Sequence, residues 1–382
     1  MNRRQFTALI VAAAASPLLL GTASVRADDA GTLRVYFGTY TRANGSKGIY
    51  SSTLDLKSGK LSEPKLAAET TNPSFLAIAP GGKFLYAVGE GGTGGGVTAF
   101  AIGADGQLSM LNRQDSGGKG PAHISLDSAG KNALVANYGS GSIACLPIGV
   151  DGKLAAASSV VQHEGSSVDP RRQKGPHAHS IYVSKDDRFV VTADLGLDKV
   201  LVYKFDPTAG KLTPNNPPAV AAKPGAGPRH FAFYPGGKYA FAINEMNSTL
   251  TAYSWDGDKG VLKVLHSLTT VPADYAGNNS TAEVVVHPSG KFVYGSNRGH
   301  DSIAVFGFDA GAGNLTPLGR TPAGGKTPRN FNIDPSGQIL IAAHQGSNTV
   351  QVFKIDQEKG TLTPVGEPVA VPSPVCVKFL KQ

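Results

Sequence analysis

Residues 233–246 read FYPGGKYAFAINEM: the end of an apolar strand, a turn closing on Lys238, a second apolar run, then a polar tip at Asn244-Glu245. The same order recurs in IAPGGKFLYAVGE (78–90), LDSAGKNALVANYG (126–139), VSKDDRFVVTADLG (183–196), VHPSGKFVYGSNRG (286–299) and IDPSGQILIAAHQG (333–346). The turns close on Lys83, Lys131, Arg188, Lys238, Lys291 and Gln338, in steps of 48, 57, 50, 53 and 47 residues. A hairpin repeat of this length predicts a β-propeller, an all-β ring of four-stranded blades around a central channel.

Outward from these six repeats lie two leftovers. The C-terminal PSPVCVKFL matches the first strand of each repeat, as in NPSFLAIAP and TPRNFNIDP, but nothing follows it. Near the other end, LRVYFGTY and GIYSSTLDL read as alternating strands that lack a first strand. Pairing Val375–Leu380 with Leu33–Tyr40 would complete a seventh blade and cover two edges that otherwise invite aggregation. The expectation is a single seven-bladed propeller domain over residues 28–382, its last blade closed by N- and C-terminal strands.

Forty-eight glycines, 25 prolines and only 17% charged residues suit many short strands joined by tight turns. The first 27 residues read differently. Arg3-Arg4 precede an apolar run from Ala8 to Leu20, and Val25-Arg26-Ala27 offers a small-residue cleavage site. This is the pattern of an export signal, too short for a permanent span, and the paired arginines resemble a twin-arginine leader. A periplasmic protein without a stable membrane anchor is expected. Removing that segment's three arginines lowers the net charge from +8 to +5, without basic runs, which argues against a nucleic-acid partner. Cys145 and Cys376 fall on different blades and read as small core residues.

Blade-on-blade alignment brings two sets of positions to one end of the channel. The loops entering each first strand place Ser74-Phe75, Ala122-His123, His179-Ser180, Arg229-His230, Ala282-Glu283, Arg329-Asn330 and Val375-Cys376 there. The tips leaving each second strand place Asn137-Tyr138, Asp194-Leu195, Asn244-Glu245, Asn297-Arg298 and His344-Gln345 beside them. Arg229, Arg298, Arg329, Glu245, Glu283, His123, His179, His230 and His344 are thus gathered in one funnel. Arginine keeps its proton, and two carboxylates do not balance three arginines, so a small anionic ligand is expected as the third party.

At these residues the chain resembles a known family. His177-Ala178-His179-Ser180, Gly227-Pro228-Arg229-His230, Asn244-Glu245 and Ser296-Asn297-Arg298-Gly299, with the P-G-G-K and P-S-G-K turns, look like the lactonase family of seven-bladed propellers. That family includes propeller-type 6-phosphogluconolactonases and carboxy-muconate lactonizing enzymes. The resemblance implies a catalytic set of His179 (or His177), Arg229, Glu245 and Arg298. His123, His177, His230, Asn137, Glu283, Arg329 and His344 are expected to bind substrate. It also implies hydrolysis of the ring ester of an anionic sugar lactone, with Glu245 or His179 as base and His344 as a candidate acid.

Three other readings remain at this point. A muconate-type cycloisomerase would use the same residues. A non-catalytic periplasmic binding propeller would leave them idle, although the single Trp255 offers little aromatic display surface. A metal on His177 and His179 is disfavoured by the neighbouring guanidiniums, and no cofactor is expected. A monomer is expected.

Overall fold

The structure, a computed structural model, describes residues 31–41, 45–91 and 95–381. The export signal expected at 1–27 lies outside the described residues. The described chain forms seven four-stranded antiparallel sheets. Blade 1 runs outward through Leu76–Ile78, Phe84–Gly89, Gly96–Ile102 and Leu108–Asp115; the next five follow the same order. Their innermost strands are Pro121–Leu126, Ala178–Val183, Pro228–Phe233, Ser280–Val286 and Pro328–Ile333. In blade 7 the innermost strand is Pro374–Lys381, and the outer three are Thr32–Thr39, Gly48–Asp55 and Lys65–Glu69. Its closing register runs from Leu33 opposite Lys381 to Gly38 opposite Cys376, the pairing expected from the two leftovers.

Each blade's first hairpin needs one residue with positive φ just before the turn's Lys, Arg or Gln. Gly237 (φ 75°) and Gly290 (φ 74°) supply it without strain, and blade 3 uses Asp187 (φ 56°), a residue type that tolerates this region. Apolar side chains of the first two strands alternate between neighbouring blades. Leu134, Ala136, Ile181 and Val190 pack between blades 2 and 3, and Val191, Phe231, Ala240 and Tyr253 between blades 3 and 4. Buried tyrosines tie blades together: Tyr86 donates to the Gly152 carbonyl (3.0 Å) and Tyr294 to that of Gly360 (2.8 Å). Cys145 and Cys376 are free and buried in this core.

The candidate active site at the channel mouth

The propeller gives each blade two ways of presenting side chains to the mouth. The first is a β-bulge at the start of the innermost strand. Register slips between Pro121 and His123, Ala178 and Ser180, Pro228 and His230, and Pro328 and Asn330, so Ala122, His179, Arg229 and Arg329 are left without partners in the ladder. A bulge bends the strand and re-aims side chains. His179, Arg229 and Arg329 thereby line the mouth, together with Ser74, Tyr40 and Glu90.

The second is the residue seven places after each hairpin turn. Its N–H bonds the carbonyl preceding the innermost strand: Tyr138 to Gly120 (2.9 Å), Glu245 to Gly227 (2.8 Å), Gln345 to Thr327 (3.0 Å). Strand alternation then turns the residue just before it back into the blade. Asn137 and His344 are therefore not mouth residues, contrary to expectation. Asn137 donates to the Ser116 carbonyl (2.9 Å) and to Ser142 Oγ (3.2 Å), while His344 is fully buried with Nδ1 3.3 Å from Thr349 Oγ1. Both are caps of the blade tips.

Glu245 organises the mouth. Its Oε2 accepts from Arg229 Nε (3.0 Å) and is ion-paired with Arg298 Nη2 (2.9 Å), and its Oε1 accepts from Arg172 Nη2 (2.7 Å). Burial alone would raise its pKa, but Arg298, Arg229 and Arg172 outweigh that and hold the carboxyl at about 2. Glu245 is therefore ionised at neutral pH and holds the three guanidiniums in place. Arg229 also donates to the Ala282 carbonyl (2.6 Å), and Arg298 to that of Thr281 (2.7 Å). Burial, then Arg298 and Arg329, push Arg229 downward from the usual arginine value, yet it stays protonated at neutral pH. Arg329 donates to Tyr40 Oη (3.2 Å), which in turn donates to Glu90 Oε2 (2.7 Å).

Around Tyr138 sit His177 and His179, separated by Ala178 in sequence. The His177 ring stacks on it at 4.5 Å, and that of His179 meets it edge-on at 5.2 Å. His177 Nδ1 lies 2.9 Å from the Tyr138 carbonyl, an acceptor only, so Nδ1 carries a proton and donates it there. His179 is neutral: burial, then Arg229, His230 and Arg329, hold it well below the usual histidine range. Its Nδ1 is buried without a hydrogen-bond partner, as is Arg298 Nε.

One layer deeper, Phe75, His123 and His230 close the channel. Their rings lie 4.2 Å (Phe75–His123), 5.6 Å (Phe75–His230) and 5.3 Å (His123–His230) apart. His230 floors the mouth, and its Nδ1 is 2.8 Å from Glu283 Oε1. His123 and Glu283, expected to bind substrate in the funnel, face the opposite side of this plug. There they line a separate chamber of about 630 Å³ with Tyr182, Asn330 and Lys378. They follow the bulge by one residue or sit within it, which points them inward and down.

Arg172, Tyr40 and Glu90 were missed as site residues, and Tyr138, located at the mouth by the blade alignment, was given no role there. Arg172 sits in an insertion that makes the second step 57 residues, and an over-long step was the available signal, since insertions map to loops on one face. The site now totals four guanidiniums against two carboxylates.

The ring and its mouth, with guanidiniums gathered around a buried imidazole, define a seven-bladed propeller with one polar site on its axis. The chain belongs to the family described as Lactonase, 7-bladed beta-propeller, which it matches over residues 34–379. It is 38% identical over 348 residues to a 6-phosphogluconolactonase of Bacillus subtilis, covering 91% of this chain and 98% of that one. A 6-phosphogluconolactonase of Formosa agariphila is 35% identical over 302 residues, covering 78% and 85%. The solved structure of the periplasmic gluconolactonase of Pseudomonas aeruginosa superposes with a TM-score of 0.87 at 32% identity, covering 91% of this chain and 99% of that one.

Proposed function

We propose that the protein hydrolyses the ring ester of a sugar lactone that carries an anionic group. The observation that carries this reading is the excess of guanidinium over carboxylate around a buried neutral imidazole, His179, with an unpartnered Nδ1. Arg229 and Arg298 are placed to polarise the lactone carbonyl, and a buried charged donor there strengthens as the oxyanion develops. His179 takes the proton of the attacking water as the C–O bond forms. The tetrahedral intermediate collapses with cleavage of the ring C–O bond, and the imidazolium returns the proton to the departing alkoxide. The product is the open-chain hydroxy acid. Burial is the main cause of the depressed His179 pKa, and an incoming anion offsets the smaller contribution of Arg229 and Arg329. No separate acid from His344 is needed.

The export signal read at 1–27 places this activity in the periplasm in our reading, and the periplasmic Pseudomonas relative supports it.

The test is hydrolysis of a lactone panel, including 6-phosphogluconolactone and glucono-1,5-lactone, by the mature protein. Turnover above the spontaneous rate is expected for at least one. His179→Gln should lower kcat by about a hundredfold, and Arg298→Ala should lower kcat/KM by at least as much. Undiminished turnover in both variants, or no turnover of any lactone, overturns the reading.

A further inference from the structure

We infer that Arg172 is the specificity residue of the mouth: it reads the substrate's exocyclic anion, phosphate or carboxylate, and so separates anionic from neutral sugar lactones. This rests on the lactonase reading and assigns it a substrate determinant.

Three observations carry the inference. First, Arg172 differs in accessibility from the arginines it joins. Its side chain is 44% exposed, against 3% for Arg229 and 13% for Arg298. An approaching anion meets it before the buried pair. Second, Arg172 is expendable to Glu245. The Oε2 atom already accepts from Arg229 and is ion-paired with Arg298, so a substrate oxygen that takes Arg172 from Oε1 leaves the carboxylate with two guanidinium partners. The remaining tie of Arg172 is to Tyr138 Oη, at 3.2 Å.

Third, the segment carrying Arg172 is built rather than loose. Asp194 fastens both ends, accepting from the His177 N–H (2.8 Å) through Oδ1 and bonding His163 Nδ1 (2.6 Å) through Oδ2. Ser167 Oγ bonds Asp198 Oδ2 (2.6 Å), and the fully buried Gln173 donates to the Leu195 carbonyl (2.9 Å). At the apex Asp169 Oδ1 accepts from the N–H groups of Arg171 and Arg172 (2.7 and 2.9 Å). The backbone under Arg172 is thus fixed while its guanidinium remains reachable. That arrangement suits planar two-point recognition of an oxyanion, because little freedom is lost when the ligand arrives. The surplus of two positive charges in the mouth favours a doubly charged group over a singly charged one, which ranks phosphate above carboxylate.

The experiment compares wild type, Arg172→Ala and Arg172→Lys on 6-phosphogluconolactone, D-glucaro-1,4-lactone and glucono-1,5-lactone. Binding of 6-phosphogluconate and of gluconate is titrated calorimetrically alongside. In Arg172→Ala, kcat/KM for the anionic lactones should fall by about thirtyfold, the worth of a charged hydrogen-bonded pair, mostly through KM. The fall for glucono-1,5-lactone should be at least tenfold smaller, and Arg172→Lys should recover part of the difference. A larger loss on 6-phosphogluconolactone than on the glucarolactone identifies phosphate as the preferred anion; the reverse identifies carboxylate. Equal losses on charged and neutral lactones overturn the inference and reduce Arg172 to a support of Glu245. So does wild-type binding of 6-phosphogluconate no tighter than of gluconate, a result that does not depend on turnover. Absence of all turnover with preferred 6-phosphogluconate binding would sink the lactonase reading and leave the anion reader standing.

Discussion

Glu245 and Glu283 are both buried carboxyl groups near the channel axis, and their surroundings drive them in opposite directions. Glu245 is held at about 2, because three guanidiniums outweigh the cost of burying its charge. Its folded-state pKa is depressed, so its contribution to stability is complete above about 4.5 and is lost as the pH falls from there toward 2. Wild type should therefore lose thermal stability faster than Glu245→Gln between pH 5 and pH 3, which circular-dichroism melts at each pH would register. Glu283 is raised to about 7, chiefly by burial, which Arg229 and Lys378 only partly offset. Here the folded state holds its proton more tightly than the unfolded chain, so stability falls as the pH rises from about 4.5 through 7. Glu283→Gln should gain on wild type by ~2 kcal/mol between pH 5 and pH 8 in urea titrations. A constant difference across that range would show that Glu283 is ionised throughout.

Among elements, the repeated bulge and the 163–177 segment decide the chemistry. The sequence located His179, Arg229 and Arg329 at the mouth because a fixed count from each hairpin turn finds the innermost strand. It could not show that a bulge turns both Arg229 and His230 inward, one to the mouth and the other to its floor. Counting also failed at the tips: Asn137 and His344 lie one residue before the mouth position, and alternation sends them into the blade. Arg172 has no counterpart in the other repeats, so alignment on the repeat was blind to it. Asp194 occupies the same tip position as Asn137, and there it fastens the segment, making buried bonds to His163 Nδ1 and to the N–H groups of His177, Gly196 (3.0 Å) and Leu197 (3.1 Å). Asp194→Ala should cost about 3 kcal/mol in chemical unfolding, because it strands several buried donors. Activity should fall with it, since both His177 and Arg172 lose their anchor. A variant with wild-type stability would mean the segment is held by Ser167 and Gln173 alone.

At the scale of the molecule, the ring was the most legible feature, since six hairpins and two complementary leftovers admit one closure. The division of the channel by Phe75, His123 and His230 was not legible, because no repeat distance reports how far side chains reach across an axis. Closure itself is testable. Removing residues 374–382 would expose the Thr32–Thr39 edge and the flanks of blades 1 and 6. The shortened chain should elute as aggregate in size-exclusion chromatography and lose its cooperative melt; a monodisperse, cooperatively melting product would show that the ring tolerates a gap. The same pairing also sets a clock. The strand Thr32–Thr39 is among the first parts of the propeller to leave the ribosome and its partner Pro374–Lys381 is the last. For nearly the whole of synthesis the early strand has an open edge, which long-range pairing resolves slowly. Closure of the ring therefore waits for the Pro374–Lys381 strand. Export, as proposed above, would require the chain either to hide that edge until the last strand is made or to cross the membrane with the ring already shut.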